Sequence, residues 1–146
     1  MERLFMKENT VELIKAWIKK ADRDLQTVKN EFNSEEPVFE SICFHSQQAA
    51  EKYLKAYLIY LEIPFKKTHE IGELITLCEV KDKEILNLKE ESDALTDYAV
   101  EIRYPDDFYE PSIEESEEAS RLSIKIRDYI RNKITNILDQ SLIFNP

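Results

Sequence analysis

His45, Gln48 and Lys52 fall at intervals of three and four residues in the stretch CFHSQQAAEKYLKAYLI, so a helix brings them to one face. An imidazole, an amide and an ammonium side by side can hold a phosphate or the polar edge of a base. The same three side chains also make an ordinary solvated face with a hydrogen-bonded histidine. Glu51 and Lys55 form an i,i+4 ion pair on the adjacent face. A second constellation lies in DYAVEIRYPDDFYEP, where Arg103 precedes Tyr104-Pro105 and the carboxylates of Asp106 and Asp107. A guanidinium beside two carboxylates can grip a phosphate. Each residue there also has a structural role: Arg103 in a last helical turn favours the dipole, Pro105 stops the helix, and aspartates bond turn amides. Glu110 adds another oxygen, but the spacing does not describe a divalent-metal site.

These residues need rigid elements to place them. The chain has 146 residues, one glycine and five prolines, and Glu, Lys, Leu and Ile dominate it. That composition favours long helices over a sheet with tight turns. The length predicts one domain spanning 1–146, with a core at about 9–138 and a tail at 139–146 that frays or docks on a partner.

Apolar residues then recur at helical spacing. A first helix runs from Asn9 to about Asn33, with an Asn9–Glu12 capping box and a stripe of Ile14, Ile18, Ala21, Leu25, Val28 and Phe32, which Trp17 widens. A second covers about Pro37 to Glu62 and ends at Ile63-Pro64. Its stripe is Phe39, Cys43, Ser46, Ala50, Tyr53, Tyr57 and Leu61, and Ser46, Ala49 and Ala50 are small enough for close helix approach. A short third helix covers about Glu70–Cys78, with Thr68 as its cap. A fourth runs from near Asp82 to Arg103 through Ile85, Leu88, Ser92, Leu95, Ala99 and Ile102. A fifth starts at a Ser112–Glu115 capping box and lines its inner face with Ala119, Leu122, Ile126, Ile130, Lys133 and Ile137. The fold class is therefore all-α: an antiparallel up-and-down four-helix bundle with one additional short helix.

The formal net charge of −10 excludes bulk attraction to nucleic acid or anionic membrane, so any RNA contact needs a local basic patch. Two histidines in different segments, and Cys43 and Cys78 without a CxxC pair, give no zinc pattern; no metal and no cofactor are expected. The cysteines read as buried, reduced thiols. YLKAYLIYL is too short for a membrane span and carries Lys55. Without an apolar leader, the expected location is the cytoplasm.

HSQQAAEKYLKA, THEIGEL and YAVEIRYPDD together resemble the HEPN family of small prokaryotic helical domains, from the first helix to about Leu138. The resemblance implies an up-and-down helical bundle, a homodimer, and partnership with a minimal nucleotidyltransferase encoded nearby, often as a toxin–antitoxin pair. It also implies a nucleotide or RNA ligand. Many members are metal-independent ribonucleases in which an arginine near the end of the fourth helix acts with a histidine a few residues later. Arg103 matches that arginine, whereas Phe108 and Tyr109 stand where the histidine falls. Tyrosine, with an ordinary pKa of about 10, is a poor replacement base. The expectation is thus a binding module in which Arg103 and His45 mark the site and Gln48, Lys52, Tyr104, Asp106 and Asp107 contact the ligand. The alternatives are a ribonuclease of altered chemistry, in which Arg103 and His45 are the catalytic residues, Arg103 holding the phosphate while His45 or a tyrosine moves the proton, and a purely structural dimeric bundle.

Overall fold

The computed structural model describes residues 8–98 and 110–138. Five α-helices are present there: α1 (Glu8–Phe32), α2 (Phe39–Tyr60), α3 (Ile71–Glu79), the single turn α4 (Lys89–Ser92) and α5 (Ile113–Lys133). Two 3₁₀ segments, Lys83–Leu88 and Asp93–Tyr98, flank α4. No strand occurs among the described residues.

Side-chain pairings fix the directions of the rods. Glu31 accepts from the Val38 amide, Asp24 meets His45, and Lys55 lies over Trp17, so α1 and α2 run antiparallel. Glu84 pairs with Lys133, Glu91 with Arg121 and Lys125, and Tyr98 with Glu115, so the rod of residues 83–98 is antiparallel to α5. Asp22 meets Arg131, and Phe32 at the far end of α1 borders Ser120 and Ile124 earlier on α5, so α1 is antiparallel to α5 as well. The up-and-down order expected from the apolar stripes is the order observed.

α2 is the centre of the bundle and packs against α1, α3, α5 and the Asp93–Tyr98 turn. Its Cys43, Ser46, Ala49, Ala50, Tyr53, Leu54 and Leu58 are shut off from solvent. The small residues at 46, 49 and 50 let neighbouring backbones close in, as the sequence implies. Ile14, Ile18, Ala21 and Val28 from α1 and Ala119, Leu122, Ile126 and Ile130 from α5 complete the core. Lys133 does not belong to it: its side chain pairs with exposed Glu84 and reaches over Tyr129, and Ile134 and Ile137 continue the buried stripe.

The helix ends follow from local chemistry. α1 is already helical at Glu8, so Asn9 and Glu12 lie inside it and make no N-terminal box. α2 starts at Phe39, two residues after Pro37. It closes in a Schellman arrangement: the Glu62 amide donates to Ile59 O, and the Ile63 amide to Leu58 O. Glu62 adopts a φ of 60° to make that turn. At α3, Thr68 accepts from the Glu70 amide, while Thr96 of the facing 3₁₀ turn accepts from the Ile71 amide. Gly72 lets α3 approach this turn, since a Cβ there would lie 2.3 Å from Asp93 Oδ1. α5 starts in the expected capping box, with both Ser112–Glu115 bonds formed.

The fourth rod differs from the long helix read in the sequence. Ile85, Leu88, Ser92 and Leu95 are buried as expected, but the backbone is 3₁₀, then α, then 3₁₀. Their spacing of three, four and three fits this alternation, because side chains three apart eclipse in a 3₁₀ helix. Ala99 and Ile102 lie outside the described residues.

Candidate functional site

α1 and α2 bring three polar side chains together on one flank of their seam. His45 Nδ1 lies 2.9 Å from Asp24 Oδ1, and Lys52 Nζ donates to Asp24 Oδ2 at 2.6 Å. Asp24 is nearly buried, and an ionised carboxylate only accepts hydrogen bonds, so the imidazole nitrogen facing it carries the hydrogen. That tautomer leaves Nε2 as the proton-accepting nitrogen. Phe44 meets the ring edge-on at 5.1 Å and limits its rotation. About a quarter of the His45 side chain is exposed, so the ring is both oriented and reachable. The arrangement can take a proton from a hydroxyl, or hold an anion through Lys52 and a protonated His45.

Gln48 sits between them on α2 and is oriented from within. Its amide donates to Gln47 Oε1 at 2.7 Å, leaving its own carbonyl as an acceptor. Gln47 is fully buried and donates in turn to Glu51 Oε1 at 3.1 Å and to the His69 carbonyl at 3.0 Å. Glu51 also receives Lys55 at 2.7 Å and His69 Nδ1 at 2.9 Å. Burial opposes ionisation of Glu51, but the bonds from Lys55, His69 and Gln47 together outweigh it and hold the carboxyl below its ordinary value. The Glu51–Lys55 pair read in the sequence is therefore real but interior.

His45, Gln48 and Lys52 are thus gathered as their spacing implies. Arg103, Tyr104, Asp106 and Asp107 lie outside the described residues, as do Phe108 and Tyr109. Asp24, Gln47 and His69 are the parts that sequence reading missed. Asp24 carried a usable signal, for it stands three residues after Ala21 and four before Val28, a carboxylate in a position flanked by buried apolar residues. Gln47 and His69 carried none.

Elsewhere, Asp82 Oδ2 receives both Tyr57 at 2.6 Å and Tyr129 at 2.8 Å, tying α2 and α5 to the start of the fourth rod. Burial pushes the thiols of Cys43 and Cys78 up to about 12, which keeps them protonated and unreactive. Among the described residues, no group of three or more His, Cys, Asp or Glu side chains could hold a metal ion. No helix among them is long and apolar enough to cross a membrane.

Comparison with known proteins gives two findings. The HEPN domain family model matches residues 14–133. The crystal structure of an archaeal HEPN homologue superposes with a TM-score of 0.61 at 29% identity, covering 83% of this chain and 97% of the other. No curated protein matches the chain.

Proposed function

Because the chain belongs to the HEPN family, we propose that it is a nucleotide- or RNA-associated binding module, acting as the HEPN component of a nucleotidyltransferase-linked, toxin–antitoxin type of pair. The observation that carries this reading is the Asp24 carboxylate holding His45 at 2.9 Å and Lys52 at 2.6 Å, with Gln48 between them. A cation, an oriented imidazole and an amide carbonyl on one helix face match the needs of a phosphate and a base edge. The missing histidine after Arg103 favours binding over the family's usual cleavage. With a net charge of −10, any such contact is local.

The test is fluorescence anisotropy of a labelled single-stranded oligouridylate, alongside co-purification with a minimal nucleotidyltransferase encoded beside the gene. Lys52→Ala and Arg103→Ala each weaken RNA binding by about tenfold, the size of one lost charge-assisted contact. A protein that binds neither RNA nor nucleotide, and purifies alone and as a monomer, contradicts the reading.

One observation favours a second reading. A histidine fixed by a carboxylate on Nδ1 is a competent general base through Nε2. In a ribonuclease of altered chemistry, His45 takes the proton and Arg103 holds the phosphate. RNA cleavage that persists with a chelator and is lost in both His45→Ala and Arg103→Ala supports it; cleavage indifferent to Arg103→Ala rules that assignment out.

A further inference from the structure

The turn between α1 and α2, the end of the fourth rod and the start of α5 meet at one pole of the bundle. Phe32 at the end of α1 borders Glu117 and Ser120 of α5. Tyr98 at the end of the rod donates to Glu115 at 3.3 Å, and both lie close to Cys43 near the start of α2. Residues 31–40, 93–98 and 110–118, which form this pole, hold eleven carboxylates and no lysine or arginine. By sequence, residues 99–109 add three carboxylates against Arg103 alone. An apolar groove of about 340 Å³ opens in the same pole, between the rod and α5. We propose that this groove docks a basic amphipathic helix of a partner protein. Surface and ligand class both differ from those of the His45 face, so the inference goes beyond the reading above.

Helix stability explains only part of this charge. Glu40 in the first turn of α2, and Glu114 and Glu115 in that of α5, favour the helix dipoles. Glu31 lies in the last turn of α1, where a dipole favours a cation. Glu35 and Glu36 lie in the α1–α2 turn, Glu110 precedes α5, and Glu117 lies beyond its first turn. These last four are exposed and bond no cation among the described residues. Like charges gathered at one end repel one another, and lysine or arginine brought by a partner relieves that repulsion.

The groove adds what charge alone lacks, a place for apolar anchors. Ala94, Leu95 and Tyr98 of the rod face Ala119 and Leu122 of α5 across it, and the exposed Glu114 and Glu118 flank it. Ile113 and Val38, 49% and 47% exposed, extend the apolar surface of this pole. A helix whose apolar side chains recur at three and four residues seats them in such a groove, while its flanking cations meet the carboxylates. An RNA strand or an acidic helix meets repulsion here instead.

The experiment is fluorescence anisotropy of the full chain with a labelled peptide built on the amphipathic repeat LKKLLKL, with oligolysine as a second probe. The wild type binds one LKKLLKL peptide per chain, more weakly as salt is added, and binds oligolysine far less well. Glu114→Lys weakens peptide binding by about tenfold. Ala94→Arg, at an exposed position, fills the groove and adds a cation, and weakens it to a similar extent. Glu12→Lys makes the same charge change at the start of α1, on the opposite pole, and leaves the affinity within about twofold. Circular dichroism checks that each variant keeps its helices. Absence of peptide binding, equal affinity for oligolysine, indifference to Ala94→Arg, or an equal loss in Glu12→Lys overturns the proposal. Lys52→Ala, on the His45 face, leaves peptide binding unchanged; a loss there also overturns it. Peptide binding by a chain that binds no RNA leaves this proposal standing and contradicts only the reading of the His45 face.

Discussion

His45 and Asp24 are joined across the α1–α2 seam at 2.9 Å, although 21 residues separate them in the chain. The same carboxylate also accepts from Lys52, so one acidic residue positions two polar side chains of this face. Asp24→Asn keeps the shape but removes the charge, leaving a half-buried ammonium without its counter-ion. The expected cost is about 1–3 kcal/mol, read as a lower midpoint in urea unfolding. The imidazole nitrogen signals of His45 also lose the Nδ1–H pattern that Asp24 imposes.

Glu51 gives the fold an acid-sensitive point. Its carboxyl is held below the ordinary 4.5, so the folded state binds its proton more weakly than the unfolded chain does. Its stabilisation is therefore fully present above about pH 4.5 and is lost as pH falls through the lower, folded-state value. Glu51→Gln flattens this acid limb in a stability–pH profile. At neutral pH it destabilises by about 3 kcal/mol or more, because Lys55 keeps its charge in the interior.

The end of α2 carries removable strain. Glu62 occupies the left-handed region at a φ of 60°, where a side chain costs about 1 kcal/mol relative to glycine. Glu62→Gly is expected to raise the unfolding free energy by up to that amount, an unusual gain for a glycine substitution. Thermal denaturation gives the sign directly.

Tyr57 and Tyr129 share one oxygen of Asp82, and their losses are coupled. Either Phe variant leaves the carboxylate one hydroxyl and costs about 1–2 kcal/mol. The double variant leaves it neither, and a double-mutant cycle is expected to show a cost above the sum of the two.

The fold was legible because its determinants are periodic. Ile14, Ile18, Ala21 and Val28, and Cys43, Ala50, Tyr53 and Tyr57, are core residues at the spacing a helix requires. The Ser112–Glu115 box is a local code and is formed as written. Where two conformations share one spacing, the sequence could not choose: Ile85, Leu88, Ser92 and Leu95 fit a continuous α-helix as well as the broken rod observed. Ile63-Pro64 reads in the sequence as the stop of α2, whereas the reversal occurs at Glu62, a residue with no turn signature. The site was half legible for a related reason. His45, Gln48 and Lys52 share a face by helical geometry alone, but Asp24 and Gln47 acquire their roles through tertiary packing and a buried hydrogen-bond chain.

The central claim is that the His45 face is the ligand-binding face. Its most direct test is an NMR titration of the labelled protein with oligouridylate, following the His45 ring, the Gln48 amide and the Lys52 ammonium. The account predicts that these three signals shift together and saturate at a common concentration, and that Lys52→Ala moves this concentration about tenfold higher. Signals that stay fixed on this face while RNA binds elsewhere, or does not bind, would contradict it.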